Sequence, residues 1–496
     1  DFSSRVPAEV AQARTETYVA ADDYISNYNV FMYYLTDEGG NRLFPEGLKL
    51  ISHWGLRDEL KGQYANADGF ERQRIIQQVM ERIIRQEIPA SVINTENFLW
   101  NPYSNKIFNT VTKETATFEM ENLARYQHIW NIFKAEQELD KYYPQAPSLI
   151  DRRFNINREL SEAEVEQLLK DLLEAPVLKK IAGIIEQRLG RPLQPFDIWY
   201  TGFKPSGSLN EAELDQKVGK RFPTVAAFQQ QVPDILHTLG FAPDKSEFLA
   251  NHIKVDPSRG AGHAMGAMMS EDAAHLRTRI PEGGMKYKGF NIAIHELGHN
   301  VEQVFSLNEM DYYSLNGVPN TAFTEAFAFV FQSRDLNVLG MENKSGETEI
   351  LSALHQMWSG FEIAGVALTD MYIWRWMYDN PDAGPEALKE NTIRIAKDVW
   401  NRYFAPVMGQ KDKELLAIYS HIVDGGMYTP DYPIGHIISF QIEQYLKNRP
   451  LATEMERMCK LGRLSPQVWM QQAVGEKITA KPMIEAAEKA VKQISG

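Results

Sequence analysis

The stretch Asn291 to Phe305, NIAIHELGHNVEQVF, decides how the rest of this chain is read. It has the pattern of a helix and holds His295-Glu296-Leu297-Gly298-His299 near its centre. A helix turns about 100° per residue, so positions i and i+4 share a face one turn apart. Two imidazoles so spaced can grip one tetrahedral metal ion, and the carboxylate beside the first can address a water at that ion. Five residues are a short motif for a long chain, so their surroundings decide the matter.

Downstream, Thr321 to Phe331 reads TAFTEAFAFVF, almost wholly apolar with one carboxylate, Glu325, near its middle. A buried carboxylate is very costly unless it is paired or bound to a metal. Neither apolar run holds a Lys or Arg to neutralise it. Asn320 or Thr321 can cap this second helix, which turns Glu325 inward about one turn later. The segment Asn316-Gly317-Val318-Pro319 supplies the loop between the helices. His295, His299 and Glu325 then form a two-His, one-Glu set with an open fourth position, the usual arrangement of a catalytic zinc. The competing reading, two solvated histidines and a Glu325 paired to a base, lacks the base.

The 496 residues suffice for two or three ordinary domains, or for one large one with a substantial core. Hydrophobic residues make up 44 %, a globular rather than a disordered composition. The formal charge of −14, from 52 basic and 66 acidic side chains, disfavours nucleic acid and anionic membranes as partners. Cys459 is the single cysteine, which excludes an intrachain disulfide framework and a multi-thiolate metal site. No apolar run reaches the about 18 residues of a membrane span. The chain begins at Asp1 without a Met, so removal of an N-terminal segment is expected. Cytoplasmic and bacterial periplasmic or otherwise exported locations both fit; the exported one is preferred.

Helical periodicity dominates the remainder and predicts a mainly α fold. Arg72 to Glu87 places Ile75, Ile76, Val79, Ile83 and Ile84 at helical spacing. Ser161 to Leu173 opens on a capping box, Ser-Glu-Ala-Glu. Val177 to Leu189, Pro223 to Gln231 and Glu485 to Ile494 read as further helices. Thr369 to Tyr378, with Tyr372, Trp374, Trp376 and Tyr378, is expected to be a buried aromatic core helix. Strand signals gather just before the metal motif, at Ala261 to Ser270, His275 to Ile280 and Met285 to Phe290, with a turn at Pro281 to Gly284. A small sheet there offers an edge to which an extended peptide can add by main-chain hydrogen bonds. Proline breaks at Pro192 to Pro195 and Pro205 to Ser208 mark a soft boundary. It divides an N-terminal helical region, 1–190, from a catalytic region, 191–496, and the two can fold as one intertwined body.

Glu296 cannot easily reach a metal held by its neighbour, but it is placed to act as general base, passing a proton from water to the leaving nitrogen. The oxyanion of such a reaction needs a further donor. His421 to Gln441, HIVDGGMYTPDYPIGHIISFQ, offers His421, Tyr428, Tyr432 and His436 on what its glycines and prolines make a loop, with a helix beginning at Ile437. The plainer reading is of surface tyrosines and helix-capping histidines. His263 and His275, in the strand region, can line the cleft. His53, His128, His237, His252 and His355 lack a nearby ligand pattern and read as structural or solvated.

At these residues the chain resembles the gluzincin metallopeptidases, and within them the group of thimet oligopeptidase, oligopeptidase F and angiotensin-converting enzyme. NIAIHELGHNVEQVF and NTAFTEAFAFVF carry most of the likeness. Gly262 to Ala267, GHAMGA, resembles the edge strand of the converting enzyme. That implies that the backbone around Ala264 pairs with substrate and that His263 lines the cleft. Tyr432 to Gln441, YPIGHIISFQ, is similar to the segment that carries a catalytic tyrosine. Anchoring on Phe440-Gln441 puts Tyr432 in that place; a looser match to the oligopeptidases brings His436 nearer to it. Phe329 stands where the converting enzyme has an Asp, so the groups that orient the ligands must come from elsewhere. Leu189 to Tyr200 and Ala473 to Val491 extend the likeness over the chain from Leu189 onward.

The resemblance implies a two-lobed helical ellipsoid with a deep channel and a small β-sheet beside the zinc-binding helix. It implies one Zn2+ per chain and hydrolysis of short, unfolded oligopeptides. The same scaffold serves a carboxypeptidase or dipeptidyl carboxypeptidase if Arg277, Arg279, Lys286 or Lys288 holds the substrate's C-terminal carboxylate. A peptide-binding protein without catalysis is the rival from another class, but a binder has no need of Glu296.

Overall fold

The computed structural model describes residues 5–204, 211–258, 262–341 and 346–495. Pro205 to Ser208 and Ala261 lie outside them. Among the described residues the protein is mainly helical with three small sheets, as the periodicity predicts. The chain divides into two compact units. One comprises Asp1–Ile156, Glu162–Gly202 and Trp358–Pro430; the other comprises Asn157–Ser161, Phe203–Met357 and Asp431–Gly496.

The first unit follows its amphipathic patterns. Gly69–Arg85 is a helix on which Ile75, Ile76, Val79, Ile83 and Ile84 are all fully buried. Each such side chain contributes about 1.5–3 kcal/mol by leaving water. On the helix Ala124–Asp140, Arg125 is fully buried and donates to the carbonyls of Ala417 and Tyr419. Glu136 on the same helix collects Arg14, Arg152 and Tyr18. The expected aromatic core over Thr369 to Tyr378 is only partly realised. Steps of two along a helix rotate by about 200°, so four such rings cannot face one way. Trp374 is buried, whereas Tyr372 and Tyr378 are half-buried, with hydroxyls bonded to Glu166 and to the Leu149 amide.

In the second unit a three-stranded sheet precedes the metal motif. Its strands are Ile253–Pro257 (β1), His263–Met265 (β2) and Ala274–Thr278 (β3), in the order β1-β3-β2. β1 runs parallel to β3 and β2 antiparallel, so β2 is an edge. Met285 to Phe290, expected as a strand, instead leads into the helix Tyr287–Asn308 (α1). The helix starts this early because Asp215, from the helix Glu211–Arg221, accepts the Tyr287 amide. That side-chain cap satisfies one of the amides a helix start leaves open.

Thr321–Gln332 (α2) follows, capped by Asn320, which accepts from the Ala322 amide. The expected loop before Ile437 is helical from Asp431 onward, in Asp431–Leu446 (α3). Pro433 falls in the first turn, where a helix needs no amide from it. Arg158 ties the two helix starts together. Its guanidinium makes two bonds to Asp431, at 2.7 and 2.9 Å, and its carbonyl accepts from the Asn320 side chain.

Candidate metal centre

α1 and α2 cross where a side chain is missing. A Cβ on Gly298 would lie 2.8 Å from Ala328 Cα and 2.9 Å from the Phe327 carbonyl oxygen. Gly435 plays the same part for α3, since a Cβ there would lie 3.1 Å from both Ala322 O and Glu325 Cβ. Both helices therefore approach α2 closely near Glu325.

At this crossing His295, His299 and Glu325 each bring a ligand atom within 4.8 Å of the others. Glu325 Oε2 lies 3.5 Å from His295 Nε2, and its Oε1 lies 3.9 Å from His299 Nε2. Donors set about 2.0–2.1 Å from a tetrahedral ion stand about 3.3 Å apart, so the three residues fit a metal with modest adjustment. The imidazole rings are nearly perpendicular, at 86°. Each is held from behind through Nδ1. His295 Nδ1 lies 3.2 Å from Gln332 Oε1, and His299 Nδ1 lies 3.0 Å from Thr324 Oγ1. Both Nε2 atoms are left to face Glu325. Among the described residues, no other group of three His, Cys, Asp or Glu side chains is so arranged.

Burial pushes His299 down to about 4 against the opposing pull of Glu325, so it is a neutral imidazole, the form that binds a metal. Desolvation disfavours charge on the half-buried His295 too, but its hydrogen bond to Glu325 and that carboxylate's charge raise its pKa above the ordinary value. Burial raises Glu296 too; His295 and the Ala264 amide oppose the rise, and the charge of Glu325 adds to it. A carboxylate with raised proton affinity suits a general base.

β2 runs beside Glu296. The backbone amide of Ala264 lies close enough to Glu296 to oppose the rise in its pKa. Gly262 permits the approach, since a Cβ on it would lie 2.7 Å from Ile292 Cγ2 and 3.3 Å from Glu296 Cγ. His263 is exposed and Ala264 half-buried on this edge. His275 turns away to Asp256 on β1 instead.

α3 carries Tyr432 and His436 one turn apart. His436 stacks flat on Phe329, with ring centroids 4.2 Å apart, and Phe329 in turn tilts against His295 at 5.3 Å. Burial holds His436 near 4. His421 and Tyr428 belong to the other unit. There His421 bonds Asp424 and meets the Tyr428 ring edge-on. The remaining histidines make local contacts: His128 stacks on Tyr24, and His237 and His252 bond nearby carbonyls. The side chain of His53 lies outside the described residues.

Sequence reasoning missed Thr324, Gln332, Gly298 and Gly435. Thr324 adjoins Glu325, and Gln332 follows it by seven positions, two turns along the same face of α2. That spacing was a signal that could have found them.

The chain shares its mainly helical fold with solved structures of oligoendopeptidase F and related peptidases. It matches a protein assigned as oligoendopeptidase F at TM-score 0.60 and 13 % identity, covering 99 % of this chain and 77 % of that one. It matches PZ peptidase A, solved with an inhibitor, at TM-score 0.60 and 12 % identity, covering 99 % and 77 %. A protein assigned as a peptidase from Chlamydophila abortus gives TM-score 0.59 at 13 % identity, covering 99 % and 75 %. At these identities the likeness is one of fold. No protein-family model and no curated protein sequence matches the chain.

Proposed function

We propose that this protein is a zinc-dependent peptidase that hydrolyses short, unfolded oligopeptides. The observation that carries this reading is the pairing of a metal-fitting triad with a carboxylate that is not part of it. His295, His299 and Glu325 converge, while Glu296 stands beside them with a raised pKa, next to the edge strand β2. A purely structural metal site would have no use for that second carboxylate.

His295, His299 and Glu325 would hold the ion. Zinc so bound supplies Lewis acidity and brings the pKa of water at its open position to about 7. Glu296 takes the proton of the attacking water and delivers it to the leaving nitrogen. Tyr432, with its phenolic hydroxyl on the helix packed against α2, donates to the oxyanion, and His436 is the alternative donor. A substrate lies extended along β2, bonded to main-chain groups around Ala264, with His263 beside it. Main-chain bonding of this kind selects extended peptides and leaves folded proteins outside.

Glu296→Gln tests the reading. The variant should retain zinc, about one ion per chain, while hydrolysis of a mixed peptide set falls by about 10²–10⁴. Turnover near the wild-type rate would remove Glu296 from the chemistry, and hydrolysis by metal-free protein would end the zinc reading. Mass analysis of the products separates endopeptidase from carboxypeptidase or dipeptidyl carboxypeptidase cleavage.

A further inference from the structure

We infer that Glu302 and Asp335 are positioning residues for the metal ligands, each ending a hydrogen-bonded relay that fixes which ring nitrogen of one histidine carries the proton. The inference rests on the metal reading above.

The His299 relay is short. Thr324 Oγ1 lies 3.0 Å from His299 Nδ1 and 2.9 Å from Glu302 Oε2. Ser306 donates to the other oxygen of Glu302 at 2.7 Å. A hydroxyl has one proton to give; burial raises the proton affinity of Glu302, and once a dication at the site keeps it ionised the carboxylate can only accept. Thr324 therefore donates to Glu302 and accepts from His299 Nδ1–H. The bare lone pair of His299 is then on Nε2, facing Glu325.

The His295 relay is longer and obeys the same rule. Asp335 accepts from Tyr287 OH at 2.6 Å and from Asn291 Nδ2 at 2.7 Å. Asn291 must then turn its carbonyl toward Gln332, whose Nε2 donates to it at 2.7 Å. Gln332 in turn presents Oε1 to His295 Nδ1. The terminal carboxylate dictates the orientation of both amides. The direction set at Asp335 passes through two amides and leaves the lone pair of His295 on Nε2.

Glu302 also needs the metal for its own sake. It is 3 % exposed, and no Lys or Arg pairs with it among the described residues. A buried carboxylate without a cation is costly. A dication on His299, one hydroxyl away, offsets that charge.

The experiment measures zinc affinity of the full chain by chelator competition, alongside thermal unfolding of the metal-free protein. Thr324→Val keeps the shape and removes the acceptor; zinc affinity should fall about 10–100-fold. Thr324→Ser restores the hydroxyl and should recover most of the loss. Gln332→Leu should weaken zinc binding in the same range, and the visible spectrum of the cobalt-substituted protein should shift in both weakened variants. The metal-free unfolding temperature should fall modestly in Thr324→Val, which takes a donor from the buried Glu302, and stay near the wild-type value in Thr324→Ser and Gln332→Leu. Wild-type zinc affinity in Thr324→Val overturns the inference, as does a Thr324→Ser variant that binds as weakly as Thr324→Val. Weakened binding that merely tracks a lower metal-free unfolding temperature also overturns it. A wild-type chain that binds no zinc removes the metal reading itself, before any variant is compared.

Discussion

Gly298→Ala isolates the packing that assembles the metal centre. A methyl group there would meet Ala328 Cα at 2.8 Å, Phe327 O at 2.9 Å and Phe331 Cβ at 3.0 Å. Carbon atoms rest at about 3.5–4.0 Å, so α1 and α2 must part by a sizeable fraction of an ångström. Two of the three obstacles are backbone and cannot rotate away. Overpacking of this kind costs about 1–3 kcal/mol. Against it stands the gain of about 0.5–1 kcal/mol from replacing a mid-helix glycine by alanine. The clash wins, with a net loss of about 1–2 kcal/mol, or about 2–4 °C in unfolding temperature per kcal/mol for a body of this size. Metal binding should suffer as well. Ligand distances tolerate about 0.2 Å, and the opening would carry Glu325 away from His299 by more than that. Zinc affinity should therefore fall at least about tenfold, or 1.4 kcal/mol. Gly183→Ala is the matched control. It lies in the helix Val177–Leu189 with nothing within 4 Å of the new methyl, and should stabilise by about 0.4–1 kcal/mol. Thermal unfolding of metal-free and zinc-loaded protein, with chelator competition, reads both effects. A Gly298→Ala variant that unfolds at or above the wild-type temperature with unchanged zinc affinity would show that the close crossing does not build the site.

Three further outcomes are expected. Tyr432→Phe should lower kcat by about 10²–10³ with little change in KM, as loss of an oxyanion donor does; if His436→Phe shows that loss and Tyr432→Phe does not, the donor is His436. The metal-free protein should gain stability as pH rises from about 4 to 6.5. His299 and His436 are held near 4 in the fold and titrate near 6.5 once unfolded, so the unfolded chain binds the extra protons in that window. His295 acts with the opposite sign: its raised pKa favours the fold below 6.5, and that share is lost as pH rises through the folded value. Urea unfolding across pH 4 to 8 should show a profile that rises less steeply in His436→Phe than in the wild type, and identical profiles would refute it. Arg158→Met should cost about 3–5 kcal/mol, because it strands the buried carboxylate of Asp431. Urea unfolding of Arg158→Met combined with Asp431→Leu should recover much of that loss, and an equally unstable double variant would show that the ion pair is not the cause.

What was legible in the sequence is what local chemistry constrains. The spacing of His295 and His299 identifies a shared helical face, and Glu325 is conspicuous because nothing apolar tolerates it. The helix over Gly69–Arg85 could be read from its isoleucines. What was not legible depends on partners far along the chain. Asp215 starts α1 earlier than its own residues suggest. Arg158 secures Asp431 at the start of α3, where two prolines and three glycines read as a loop.

Glycine shows the limit most sharply. Gly425 and Gly426 precede α3, whereas Gly435 lies within it and lets it approach Glu325. All three look alike in sequence, and only the atoms that a Cβ would strike tell a chain-turning glycine from a helix-joining one. The same asymmetry governs the metal centre. Direct ligands must be His, Glu or a few other types, so they stand out. The groups behind them need only accept one proton, which Thr324 and Gln332 do as well as a carboxylate would. A position free to be several residue types carries little signal until the fold shows what it touches. The departure at Phe329 illustrates this: the orienting function expected of that place is met by Thr324, five residues before it, and Gln332, three after it, and Phe329 itself becomes the surface on which His436 is stacked.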